Sequence, residues 1–194
     1  PHIFLGFPTR YVERDWTPAI EALPELEHRR VRAGANRRYG TALTDTVFMS
    51  SRDGRLFRRW GEAFIRPGLR PVGNWAYGDN YMAWGMLETA SALPGAPREL
   101  SLYASENYWR GPATLFRRYT LRVDGFVSLN APRSGAEMLT KPLLFEGDRL
   151  VLNISCSAAG SCCVEVQDHS GRPVPGYALD ECWEALGDSL DHTV

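Results

Sequence analysis

The pentapeptide Leu56-Phe57-Arg58-Arg59-Trp60 returns as Leu115-Phe116-Arg117-Arg118-Tyr119, an offset of 59 residues. Each copy follows a strand-forming run, residues 45–51 in the first and 99–109 in the second. Ahead of each lies an apolar segment carrying a glycine: residues 2–12 with Gly6, and residues 80–89 with Gly85. A repeated strand–strand–strand unit constrains the fold strongly, because it must bury its faces against its own kind. Two copies predict neighbouring blades of a β-propeller. The strands of a blade run antiparallel and outward, so the first strand of each copy borders the central channel. Leu-Phe-Arg-Arg-aromatic is then an outer strand, with apolar residues between blades and alternate arginines in solvent.

The punctuation agrees with a chain of strands. Apolar segments are short, rich in β-branched and aromatic residues, and bounded by Gly, Pro, Asn or Asp. Residues 2–12 read as one strand with Pro8 near its end, and Asp53-Gly54 reads as a hairpin turn. Residues 12–44 are an insertion in the first copy with one helix around Thr17–His28. Asp15 or Thr17 caps it, Pro18 suits its first turn, and Pro24 limits it. From about Asp124 the texture changes to clean alternation, with Leu150, Leu152 and Ile154 on one face and Val151, Asn153 and Ser155 on the other. This predicts two domains: propeller blades over 1–122, then an antiparallel β-sandwich, cut short, over 123–194. The class is all-β. An incomplete propeller exposes strand edges and blade faces, which predicts self-association.

Charge is uneven along the chain. Residues 1–121 carry 17 arginines against 12 acids, and residues 122–194 carry 5 basic residues against 11 acids. The arginines are spread among acids with no lysine-rich cluster, so a solvated, ion-paired surface is expected and nucleic acid is not. No apolar run is long enough to span a bilayer. Cys156, Cys162, Cys163 and Cys182 form no C-x-x-C pair, and the histidines lack zinc-site spacing, so no metal or other cofactor is expected. Buried free thiols are expected instead.

Several stretches carry a family resemblance: "DTVFMSSRDG", "DGFVSL", "TKPLLFEGDRLVLNIS" and "SAAGSCCVEVQDHSGRPVPGYALDEC". They resemble glycoside hydrolase family 32-type proteins, five-bladed β-propeller glycosidases that often carry a β-sandwich behind the propeller. The resemblance covers most of residues 40–194. It implies a glycosidase acting on a carbohydrate through a pair of carboxylates, with this chain as the last two blades and part of the sandwich. The alternative is a propeller and sandwich that bind carbohydrate without cleaving it. The family's Asn-Asp-Pro nucleophile motif does not occur here, so most of the catalytic pair is expected upstream of Pro1. Arg52-Asp53 lacks the proline of the family's stabiliser motif and reads as a turn. Glu181-Cys182 copies the acid/base dipeptide from a position in the sandwich, where the match is accidental.

Sugar sites combine carboxylates and amides for the hydroxyls with aromatic faces for the C–H surface of the ring. On that chemistry the best constellation is "YGDNY", residues 77–81, where Asp79, Asn80 and Tyr81, with Trp75 beside them, enter the channel-side strand. An Asx-turn with Tyr81 packed between blades is the plainer reading. Glu106 is the second catalytic candidate beside Asp79, with Tyr108 and Trp109 as platforms, at a place where the first copy has only a turn. Arg10, at the end of the first channel-side strand, suits a carboxylate partner or an anionic substrate group.

Overall fold

Strand β3, Leu43–Ser51, is the axis of the first repeat in the computed structural model, which describes residues 3–70, 74–108 and 114–194. Two short strands, β1 (Phe4–Gly6) and β2 (Thr9–Val12), pair antiparallel along one side of β3, and β4 (Arg58–Ile65) pairs along the other. Phe4 stands opposite Ser51 and Val12 opposite Leu43. The single strand expected over 2–12 is therefore broken. Pro8 sits in the break: it has no N–H for the ladder, and its carbonyl accepts the Val47 N–H at 3.0 Å.

The second repeat is built the same way. Strands β5 (Leu87–Thr89), β6 (Glu99–Glu106) and β7 (Leu115–Arg122) form an antiparallel sheet in that order. Its edge is broken too. Met82 bridges Ala104, the ladder is interrupted around Gly85 at φ 86°, and it resumes with Leu87 opposite Ser101. Arg59 faces Met49 across one sheet and Arg118 faces Tyr103 across the other, so the echo in sequence is an echo in register.

The side chains of the echo behave differently from expectation. Leu56 is 80% exposed and Phe116 66%, so the apolar residues point outward. The arginines of the second copy turn onto its own sheet: Arg117 meets Glu106, and Arg118 meets Glu99 and Ser101. Both arginines stay in contact with solvent, so these pairs orient the side chains more than they stabilise the sheet. The first copy closes instead over aromatic rings. Phe48 lies 5.7 Å from both Phe7 and Phe64 and 5.1 Å from Trp60, centroid to centroid.

Three helices fill the insertion in place of one: α1 (Pro18–Glu21), α2 (Leu26–Ala35) and α3 (Arg37–Thr41). Thr17 caps α1 through its hydroxyl, which accepts the Ile20 N–H at 3.3 Å, and Pro18 opens the first turn. The helix stops before Pro24, and the chain restarts as α2 after Glu25, which sits at φ 63°. The buried face of α2 carries Arg29 and Arg32 rather than an apolar stripe. Gly40 of α3 lies so close to the Arg29 carbonyl that a Cβ would collide with it.

The chain divides into two compact units, Pro1–Arg122 and Val123–Val194. In the second, β8 (Val151–Ser155) pairs antiparallel with β9 (Asp188–Thr193), and bridges join Cys162 to Ala185 and Gln167 to Pro173. Asp168 shapes the turn between the last two by accepting the N–H groups of Ser170 at 2.8 Å and Arg172 at 3.0 Å. Where alternation predicts a sandwich, the described residues form one two-stranded sheet. Leu139, Leu144, Phe145 and Trp183 stand exposed on this unit. The four cysteines are free, and Cys162 and Cys163 are exposed rather than buried. Taken together, the chain is mostly strands with few helices, in several antiparallel sheets, as expected for the all-β class.

Candidate functional site

The segment 74–81 carries half of the residues that the sequence singles out: Trp75, Asp79, Asn80 and Tyr81. It has no strand of its own until Met82, and three of its residues take positive φ: Trp75 at 62°, Gly78 at 94° and Asn80 at 62°. Such a path survives only where the surroundings hold it. From β3, the Thr44 hydroxyl donates to the Asp79 carbonyl at 2.7 Å and accepts the Gly78 N–H at 3.1 Å. The Thr46 hydroxyl donates to the Asn80 carbonyl. From α2, the Arg29 guanidinium donates to the Trp75 carbonyl at 2.5 Å and that of Arg32 to the Tyr77 carbonyl at 3.2 Å. From β6, Ser105 donates to the Gly78 carbonyl at 3.0 Å and accepts the Tyr81 N–H at 3.1 Å.

Asp79 sits at the centre of this frame with 1% of its surface exposed. Its Oδ1 accepts the Tyr108 N–H at 2.9 Å, while its buried Oδ2 has no hydrogen-bond partner among the described residues. Burial pushes its pKa up to about 6, against the pull of the Tyr108 and Ala76 peptide N–H groups and of Arg32; the charge on Glu106 adds to the rise. Asn107, next to Tyr108, also holds a buried side-chain oxygen without a donor. Two acceptors thus lack donors on either side of one hydrogen bond, an uncommon arrangement in a folded interior.

Glu106 is the second carboxylate of the cluster. Its Oε1 accepts from Arg117 Nε at 2.7 Å and from the Tyr119 hydroxyl at 2.8 Å. Burial and this acceptor raise the pKa of the Tyr119 phenol. The Tyr81 and Tyr108 rings lie 6.0 Å apart, and the Tyr108 ring covers Gly78 so closely that no Cβ would fit there. The Tyr81 phenol is pushed up to about 12 by burial and by its hydrogen bond to Tyr77.

Asp79, Asn80, Tyr81, Glu106 and Tyr108 therefore come together. Asn80, however, is buried, and its amide donates to the Thr44 carbonyl at 3.3 Å, so it serves the fold. Arg10 is not part of this cluster, and together with Trp75 it lines a cavity of about 600 Å³ beside the 74–81 segment. Arg10 grips Asp45 through Nε at 2.9 Å and Nη2 at 2.5 Å. Trp109 falls outside the described residues. The two lookalike motifs have structural tasks. Asp53 accepts the Arg55 and Leu56 N–H groups at 2.8 Å each, and Glu181 accepts those of Gly176 at 2.9 Å and Ala178 at 3.0 Å.

Sequence reasoning missed Arg29, Arg32, Thr44, Thr46 and Tyr119. The arginines fall three apart on a helix and the threonines two apart on a strand, spacings that put each pair on one face. Nothing in the sequence marks those faces as buried. No group of His, Cys, Asp and Glu able to hold a metal ion occurs among the described residues, and no helix is long and apolar enough to cross a membrane. The chain matches no family model, no curated protein and no solved structure.

Proposed function

We propose that this chain works in glycoside hydrolysis, as the C-terminal part of a propeller glycosidase to which it brings Asp79 as a carboxyl that keeps its proton up to about pH 6. The observation that carries the reading is Asp79 itself: a buried carboxyl with one oxygen lacking a partner and a pKa raised to about 6. Cleavage of a glycosidic bond needs one carboxyl that stays protonated to protonate the leaving oxygen, and a second carboxylate to act as nucleophile or base. Enzymes obtain the first by burial. Tyr81 and Tyr108 offer ring faces beside it. Glu106, fastened by Arg117 and Tyr119, holds negative charge near Asp79 and helps keep its proton on. The second reacting carboxylate lies, in this reading, outside the cluster, as the family resemblance implies.

The test is hydrolysis of fructans, arabinans and aryl glycosides by the full-length parent protein, which carries the second carboxylate, and by its Asp79→Asn variant. Hydrolysis is expected, declining as pH rises past about 6, and reduced roughly 10²- to 10⁴-fold in the variant. A folded protein that cleaves none of them overturns the reading.

A second reading, binding without cleavage, is favoured by the near-complete burial of Asp79 and by the two donors that occupy Glu106 Oε1. Calorimetric binding of a glycan that is never hydrolysed would establish it.

A further inference from the structure

The cavity of about 600 Å³ at the Leu43–Asp45 end of β3 shares Thr44 and Trp75 with the frame around Asp79 but is lined by neither Asp79 nor Glu106, and its charge is lopsided. Three arginines line it, Arg10, Arg14 and Arg66, against Asp45 as the one acidic residue of the lining. Asp45 is fully engaged by Arg10, whose remaining nitrogen donates to the Gly61 carbonyl at 2.5 Å. That leaves Arg14 and Arg66 without a partner among the described residues. Two unneutralised guanidinium groups at one cavity suit an anion, and their planar forks suit a carboxylate.

The rest of the lining suits the body of a sugar. Trp75 sits at φ 62°, a conformation that a bulky side chain adopts only under constraint. Arg29 holds its carbonyl from below, and its indole N–H donates to the Gly68 carbonyl at 2.9 Å. Asn74 ties the same loop through the Pro67 carbonyl at 2.9 Å. With the indole N–H occupied, what Trp75 offers a ligand is its ring face, the surface on which the C–H side of a pyranose stacks. A volume of about 600 Å³ is in the usual range for small-ligand sites.

We infer that this cavity binds an acidic sugar, a hexuronate unit whose carboxylate meets Arg14 and Arg66 and whose ring lies on Trp75. The inference rests on the carbohydrate reading above and names a substrate class for it. The Arg10–Asp45 pair is the fixed wall against which the two free guanidinium groups act.

The experiment titrates the protein with digalacturonate, with cellobiose as a neutral sugar of similar size, and with inorganic phosphate. Calorimetry reads affinity and tryptophan fluorescence reads contact with Trp75. Digalacturonate is expected to bind at least tenfold more tightly than cellobiose, to weaken as salt rises, and to lose at least tenfold in the Arg14→Gln/Arg66→Gln double variant. Both substitutions are at exposed positions, so the fold is retained. Trp75→Phe should remove the fluorescence change and weaken binding several-fold. Equal affinity for cellobiose, no effect of the double variant, or phosphate competing as well as the uronate each overturns the inference. The two proposals fail separately. Hydrolysis of any glycoside without preferential binding of the uronate overturns this site alone, whereas uronate binding with no hydrolysis of any substrate keeps the site and overturns the hydrolase.

Discussion

Trp60 and Tyr119 hold the same place in the two repeats, the fifth position of Leu-Phe-Arg-Arg-aromatic, and their surroundings differ in kind. Trp60 packs its ring 5.1 Å from Phe48 in an aromatic cluster with Phe7 and Phe64 close by. Tyr119 sends its hydroxyl to Glu106 at 2.8 Å, beside Arg117 and within the field of Asp79. One scaffold thus supports an apolar interior in the first repeat and a polar, ionisable one in the second. Aromatic packing is tolerant and stabilises outright, whereas a buried polar network stabilises only when every member has a partner. Asp79 Oδ2 and Asn107 Oδ1 do not, so the second repeat is the less optimised for stability and the better suited to bind something.

The comparison breaks first at Phe48, which is 4% exposed. Phe48→Ala leaves a cavity among three rings and should cost about 3–5 kcal/mol, read from urea unfolding. A cost below about 1 kcal/mol would show that the first repeat is not held together by this cluster.

Next comes the pH dependence that Asp79 imposes. Its folded pKa of about 6 lies above the ordinary carboxylate value of 3.8, so the unfolded chain gives up this proton first as pH rises. Stability contributed by the protonated form is therefore complete below about pH 4, lost as pH climbs towards 6, and gone above it, a fall on the order of 3 kcal/mol. Arg29 and Arg32 from α2 and Glu106 from β6 bear on the same carboxyl, with opposite signs. Asp79→Asn should flatten this segment of the stability–pH curve. A slope that survives the substitution would place the titrating group elsewhere.

The repeat itself was legible, because residues at matching sequence positions in the echo took matching register positions: Arg59 opposite Met49, Arg118 opposite Tyr103. Asp79, Tyr81 and Glu106 stood out singly as polar residues beside strands, but their coming together rests on the bridge between Met82 and Ala104, which the sequence does not mark. The breaks at Pro8 and Gly85 were less legible than the repeat, because local propensity marks a weak point without saying whether the ladder resumes beyond it. Burial was the least legible of all. Arg29 and Arg32 are residues of a polar-looking helix, and only the carbonyls of Trp75 and Tyr77, some 45 positions away, explain why they face inward. The fate of the alternation at 150–155 teaches the same point. Alternation describes a strand with two unlike faces, but the number of strands that join it depends on partners that no local pattern records.

Smaller effects should follow the hydroxyl that separates the repeats. Tyr119→Phe keeps the ring and removes one of two donors to Glu106, which is 7% exposed, so about 1–2 kcal/mol should be lost. The reciprocal change, Trp60→Phe, removes no hydrogen bond seen in the structure and should be felt only through lost ring contact. If the two substitutions prove equal in chemical denaturation, the polar tip of Tyr119 contributes nothing beyond its ring.

The smallest expected difference lies one step along the chain from neither end of the echo, at its third residue. Arg58 lies over the Trp60 ring at 5.3 Å, and Arg117 holds Glu106 at 2.7 Å. Both arginines are exposed, so the ion pair is discounted for solvent and Arg117→Met should cost roughly 1 kcal/mol. Arg58→Met should cost about 0.5 kcal/mol, the scale of a surface cation–π contact. The sharper reading comes from combining Arg117→Met with Tyr119→Phe. Both wild-type groups donate to one oxygen of Glu106, so removing the second donor strands a largely buried carboxylate that the first loss left partly served. The pair should therefore lose more than the two single variants added together, by at least about 0.5 kcal/mol. Strict additivity would mean that Glu106 draws its support from elsewhere, and that the polar interior of the second repeat is not one network.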